Sequence, residues 1–313
     1  MTITHVSGGS SAEGAPLQAA MPTRNDSHRL RRDAQRRSRL GSAAYHLGMI
    51  VVCAIVLYPA AWMFMSSLKP SSEIIGNVNL IPENGSLDNF ATALSGIAGI
   101  SFWTFFLNSL IIAVFSVVGV VVSSAVAAYA FARIEYRGKK VWFALMVATM
   151  LLPFHVTIIP QYILFQNLGL INNFGSLLIP KFLATEAFFV FLMIQFLRGI
   201  PRELDEAARI DGAGHVRVFS SIILPLLRPA MITAAIFTFI ASWNDFLGPL
   251  LYLKRPDLYT LPVALRLFVD QTTTSDYGAQ VAMAVLALIP VMIFFFVFQR
   301  YLIDGVATQG LKG

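Results

Sequence analysis

Apolar and polar positions follow one another along this chain in long blocks, not in single turns. Runs of about twenty apolar residues suffice for a helix to cross a hydrocarbon core of about 30 Å at about 1.5 Å per residue. Such runs recur at 44–65, 102–131, 141–162, 182–197, 230–253 and 279–301, and the fourth is short enough that its helix should extend past those limits. The pattern predicts an all-α membrane protein with six transmembrane helices. Charge obeys the same division: between Val141 and Leu197 only Lys181 and Glu186 are charged, between Arg198 and Arg217 there are eight charged residues, and between Pro229 and Leu253 only Asp245. A polar block set between two lipid-compatible ones must leave the bilayer and meet something outside it.

Composition sharpens this. Of 313 residues, 56% are hydrophobic and 13% charged, with a mean hydropathy of +0.68; a soluble domain carries about a quarter charged residues. The net charge of +6 does not point to nucleic acid, because Lys and Arg gather in short segments beside the apolar runs. With the N-terminus inside, eighteen of the twenty-three basic residues lie on inner segments, and only Lys69, Lys181, Lys254, Arg255 and Arg266 lie outside. That bias places both termini and the loop at 201–229 in the cytoplasm. Residues 1–42, rich in Ser, Gly, Ala and Arg and without apolar periodicity, are expected to be a disordered basic tail, leaving 43–313 as the transmembrane domain. The first apolar run is too long for the core of a signal peptide, about 7–15 residues, and should remain as an anchor. Cys53 is the only cysteine, which excludes an internal disulfide and a cysteine metal site.

The polar loop reads as a short helix. Pro201 suits a first turn; Glu203, Asp205 and Glu206 load the N-terminal end with favourable negative charge; Asp205 and Arg209 have the spacing of a supportive pair. Leu204, Ala207 and Ala208 form a small apolar stripe, Gly212 and Gly214 close the helix, and a second helical stretch starts near Val216. A helix lying on lipid would set large apolar residues opposite Lys or Arg. This one sets alanines opposite acids, which favours docking of a partner protein.

Within the apolar runs, Gly119, Ser123, Ala127 and Ala128 supply a small-residue face for close helix packing. Pro153 and Pro160 should kink the third helix around His155, as happens beside translocation paths, although a lone His is also an ordinary packing residue. In "SWNDFLGPL", Asn244 and Asp245 either line a polar pathway or close the outer end of the fifth helix.

These residues have a family likeness. Glu206-Ala207-Ala208, Asp211-Gly212-Ala213, Phe219, Ile223-Leu224-Pro225 and Pro229 resemble the EAA loop of permease subunits in binding-protein-dependent ABC importers. "SLKP" at Ser67, "NSL" at Asn108, "AAYAFAR" at Ala127, "RGKK", "LGL" at Leu168, "WNDFL" at Trp243 and the ending "FQRYLIDGVATQGLKG" are similar to the carbohydrate-type permeases related to the maltose system. Only "QGLKG" departs mildly from the family's usual "GAVKG". The resemblance implies a type I importer fold in a bacterial cell membrane, with helices two to six forming half of the pathway. Its partners would be a second, different permease, a dimer of ATP-binding subunits and an extracytoplasmic sugar-binding protein. Glu206, Ala207, Ala208, Asp211 and Gly212 would be the residues coupling to the ATPase.

The chain carries no phosphate-binding loop of its own: around "RGKK", Arg133 stands where the first Gly is required and Lys140 where Ser or Thr is required. "GAGHVR" likewise has Arg217 in place of the third Gly of a dinucleotide motif. The five His residues are scattered, so no catalytic or metal cluster is expected, nor a cofactor, with ATP used by the partner subunit. The competing class is a self-contained secondary carrier or channel for small solutes. It wants internally repeated halves and coupling charges within the membrane, and the chain shows no convincing repeat and few such charges.

Overall fold

The computed structural model describes residues 24–75, 79–269 and 275–310. Among them there is no β-strand, only an isolated bridge between Ile97 and Ile100. The chain divides at Pro59 into two units, residues up to Pro59 and Ala60–Gly313.

Helix α1 runs from Arg24 to Ser66. Its backbone continues through the basic segment that composition assigns to a tail, because Arg, Ala, Gln and Leu are all good helix formers; residues 1–23 lie outside the described part. The stretch Tyr45–Ser66 is apolar and long enough to cross a membrane, and its side chains from Tyr45 to Tyr58 are exposed, as a lipid-facing surface requires.

Short helices α2 (Ser71–Ile74) and α3 (Asp88–Ser95) follow. A polar knot fixes this region. The Asn89 side-chain amide donates to the carbonyls of Ser67 (2.8 Å) and Lys69 (2.7 Å), and fully buried Lys69 reaches the Asn79 carbonyl. The Ser71 hydroxyl donates to Asp276 at 2.9 Å and accepts from the Gly278 amide at 3.0 Å.

The unit Ala60–Gly313 is organised on α4 (Phe102–Arg133), which has no proline and is about 48 Å long at about 1.5 Å per residue. Its small residues do what their spacing predicts. A Cβ on Gly119 would lie 2.8 Å from the Phe182 ring, and the Ser123 hydroxyl donates to the Lys181 carbonyl at 2.9 Å. Glycine and serine are thus what let α7 (Gly175–Phe182) approach so closely.

Three apolar runs are interrupted. The run at 141–162 predicts one kinked helix; it forms α5 (Lys139–Met150) and α6 (Phe154–Asn167), meeting at 107°. Pro153 explains the break, since it lacks an amide hydrogen and disfavours helical geometry at Leu152. Pro160 is carried inside α6. The fourth run reaches back to Gly175 and is split between α7 and α8 (Ala187–Arg198), with Ala184 at φ +55°. The fifth begins at Arg228 as α12 (Arg228–Trp243), preceded by α9 (Glu203–Ile210), α10 (His215–Val218), a π-turn at Phe219–Ile223 and α11 (Leu224–Leu226). It breaks at Asn244 before α13 (Leu247–Tyr252), and α14 (Leu261–Leu265) and α15 (Tyr277–Gly310) complete the chain. Among the described residues four helices are long and apolar enough to cross a membrane, or six if each bent pair counts as one span.

Two apolar cores lie at the two ends of α4. One gathers Phe102, Phe105 and Ala113 with Phe239, Trp243, Leu261, Phe268 and Met283. The other gathers Ala125, Ala128, Tyr129 and Ala132 with Val190, Met193, Leu197, Ile223, Leu227 and Ala230. The α4 residues between them, around Ser116, are those left to face a cavity.

Candidate functional site

Helix α9 carries Glu203, Asp205 and Glu206 in its first turn, where the helix dipole favours negative charge, with no side chain capping its amides. It begins at Glu203, so Pro201 precedes the helix instead of occupying its first turn. It ends as its glycine predicts. Gly212 adopts φ +82°, the left-handed conformation that closes helices, and the amides of Gly212 and Ala213 return to the carbonyls of Arg209 (3.0 Å) and Ala208 (2.9 Å). Gly214 is different: it caps α10 at an ordinary negative φ.

The two faces of α9 are not those the sequence predicts. The expected Asp205–Arg209 pair is replaced. Asp205 turns inward and its Oδ2 lies 2.9 Å from Nε of Arg133 at the end of α4, with 4% of the Arg133 and 6% of the Asp205 side chain exposed. The contact is an ion pair, not an aligned hydrogen bond, and Asp205 Oδ1 has no hydrogen-bond partner among the described residues. Arg209 instead approaches His215 at 3.4 Å. Ala208 packs toward the inner core beside Asp205, while Glu203, Glu206, Ala207 and Ile210 face outward. The alanine pair is therefore split between faces, Leu204 stays exposed at 43%, and the outward strip carries the exposed acids Glu203 and Glu206 with Ala207 and the 86% exposed Ile210. Asp211 and Gly212 are exposed at its end.

Further bonds join this loop to α4. Arg133 donates to the Ile200 carbonyl at 2.8 Å, Arg202 donates to the Ala132 carbonyl at 3.2 Å, and the Tyr129 hydroxyl lies 3.4 Å from His215 Nδ1. The sequence treats Arg133 only as a topology marker. Its place at the end of "AAYAFAR" was the available signal, and its acidic partner lies seventy-two residues on.

A cavity of about 790 Å³ lies against the middle of α4. Its polar lining includes Ser116, Gln161, Lys181, Glu186, Ser242 and Asp245. Of the three residues the sequence offers for a pathway, Asp245 lines this cavity, and its carboxylate also accepts from the Gly248 amide at 3.1 Å, so it caps α13 as well. Asn244 donates to the Ile240 carbonyl at 2.8 Å and closes α12, and neither it nor exposed His155 is among the lining residues. Lys181 and Glu186 form an ion pair across the break between α7 and α8. They were visible in the sequence as the only charges in a 57-residue stretch, 141–197. Hydroxyl, amide and charged groups over an apolar floor suit a hydrated polar solute. Among the described residues no cluster of His, Cys, Asp and Glu could hold a metal ion.

Residues 119–308 match the family of binding-protein-dependent transport system inner membrane components. The chain is 34% identical over 270 residues to the arabinooligosaccharides transport system permease protein AraQ of Halalkalibacterium halodurans, covering 85% of this chain and 95% of that protein. It is 33% identical over 289 residues to the diacetylchitobiose uptake system permease protein NgcG of Streptomyces coelicolor, covering 90% and 92%. Its fold is similar to a chain in the crystal structure of a bacterial ABC transporter involved in the import of the acidic polysaccharide alginate, with a TM-score of 0.73 and 25% identity over 85% of this chain and 98% of that one.

Proposed function

We infer the function from one premise: this chain belongs to the family of binding-protein-dependent transport system inner membrane components. It is a non-catalytic permease subunit of the carbohydrate-transporting ABC importers, a membrane protein working with an ATPase and a binding protein. From there the finer reading is ours. The chain crosses a bacterial inner membrane six times with both termini in the cytoplasm, supported by the distribution of Lys and Arg. It supplies half of a pathway, pairs with a second, different permease, and receives a sugar from an extracytoplasmic binding protein. ATP is bound and hydrolysed by a partner dimer, not by this chain.

The observation that carries the coupling role is the outward strip of α9. A helix that exposes Leu204 and Ile210 beside Glu203, Glu206 and Asp211, followed by exposed Val216, offers apolar surface within an acidic frame. Such a surface suits a protein socket with basic rims better than it suits lipid headgroups. Glu206, Ala207, Asp211 and Gly212 would meet the ATP-binding subunit, and Ala208 would set the seat of the helix against the bundle.

The test is uptake of labelled arabino-oligosaccharides and diacetylchitobiose by membrane vesicles holding the whole complex. Glu206→Lys and Gly212→Asp should reduce uptake to background while the protein remains in the membrane. Normal uptake by both variants refutes the coupling role. The chain reconstituted alone should move no sugar; solute flux without ATPase and binding protein would instead make it a self-contained carrier.

A further inference from the structure

Resting on the reading of α9 as the coupling helix, we propose that Arg133 and Asp205 are positioning residues whose buried ion pair ties α9 to the end of α4, so that a shift of α9 is carried along α4 to the cavity. A glycine joint at Gly212 alone would leave α9 free to swing against the membrane helices. The contacts exclude that. Ile200 and Arg202 before the helix, Asp205 within it and His215 beyond Gly212 all reach α4 through Arg133, Ala132 and Tyr129. The joint is bracketed on both sides by the same helix.

Stability does not account for such a pair. Exchanging a buried ion pair for well-packed apolar residues is often neutral or stabilising, whereas removing one partner leaves an uncompensated charge. What the pair supplies is position. Because Arg133 Nε, 2.9 Å from Asp205 Oδ2, makes no aligned hydrogen bond among the described residues, the hold is by charge more than by directed bonding, so a neutral isostere loses it and another carboxylate keeps it.

From Arg133 the connection continues without a gap. Helix α4 is unbroken from Phe102 to Arg133. Ten residues before Arg133 it bonds the Lys181 carbonyl through Ser123, and Ser116 and Ile112 line the cavity that Lys181 also lines. A displaced α9 therefore moves a rod whose middle is a wall of the cavity. Spatial continuity alone does not establish coupling, so the test must read the cavity while the ATPase is switched.

The experiment uses the complete importer with Cys53→Ser and Ser242→Cys in this chain, and reads the labelling rate of position 242 by a membrane-impermeant methanethiosulfonate. Rates are compared without nucleotide and after trapping with ATP and vanadate, normalised to assembled complex. In this background the rate should change by about fivefold or more, the scale of a typical coupling between sites. Asp205→Asn and, independently, Arg133→Gln should remove the nucleotide dependence, and Asp205→Glu should retain it. A merely structural pair would lower the yield of complex and leave the ratio unchanged. If Glu206→Lys removes the dependence while Asp205→Asn and Arg133→Gln keep it, the dock stands and the tie is refuted. If the background itself shows no dependence, or Glu206→Lys keeps it, the coupling reading fails first.

Discussion

Replacing Gly119 tests how closely the bundle is packed around the cavity. A Cβ added there would lie 2.8 and 2.9 Å from two carbons of the Phe182 ring and 3.1 Å from the carbonyl carbon of Lys181. Carbon atoms rest at about 3.5–4.0 Å, so α4 and α7 must part by several tenths of an ångström. The Phe182 ring is 45% exposed and can swing outward, but the Lys181 carbonyl is backbone and cannot. Overpacking of this kind costs about 1–3 kcal/mol, and Gly→Ala in a helix returns about 1 kcal/mol. Gly119→Ala should therefore be neutral to destabilising, by about 0–2 kcal/mol, and Gly119→Val should cost about 2–3 kcal/mol, its second branch having nowhere to go. The internal control is Gly48 in α1, where a Cβ meets nothing within 4 Å; Gly48→Ala should be neutral or stabilising by up to about 1 kcal/mol. Reversible unfolding in mixed detergent micelles, followed by helical circular dichroism, measures all three. Gly119→Val unfolding at the same midpoint as the parent would show that α4 and α7 do not touch there, and the wall of the cavity would have to be redrawn.

The remaining predictions are shorter. Tyr252 is buried and its hydroxyl has no hydrogen-bond partner among the described residues, so Tyr252→Phe should raise the unfolding free energy by up to about 1 kcal/mol instead of lowering it. Cys53 is exposed on the apolar part of α1, where a thiol cannot form the thiolate that reacts, so a maleimide should modify it only after denaturation and not in intact vesicles; rapid labelling in intact vesicles would place it in water. The Lys181–Glu186 pair predicts a non-additive cycle: Lys181→Met and Glu186→Gln together should cost less than the sum of the singles by about 1 kcal/mol, measured by the same unfolding assay, and strict additivity would show the pair to be uncoupled.

Much of the fold was legible because lipid is an undemanding but strict solvent. Hydrophobic length alone located the long apolar helices, four of which are long enough to cross a membrane unbroken, since every backbone group in the bilayer must be paired within its own helix. What it could not locate were the breaks. Pro153 ends a helix while Pro160 is carried inside one, although both sit in the same apolar run. Residue type alone does not encode that difference. The break at Leu183–Glu186 contains no proline at all. It was signalled instead by the Lys181–Glu186 pair, two charges that an uninterrupted span would have no reason to keep.

The loop shows the same limit at finer scale. Spacing correctly announced a short acid-started helix closed at Gly212, because capping and helix dipoles are local forces. The faces came out differently because local pairing is weak: an exposed pair four residues apart contributes about 0.3–0.5 kcal/mol. Against that stood the buried guanidinium of Arg133, whose charge would be left uncompensated without a carboxylate. Asp205 therefore turns from Arg209, four residues away in sequence, to Arg133, seventy-two residues away. That turn draws Ala208 inward and leaves Ala207 and Ile210 outside, so the exposed face of α9 was decided by α4 and not by the loop's own pattern. The exposed face of α9 and its attachment to α4 thus follow from one contact, the Arg133–Asp205 pair.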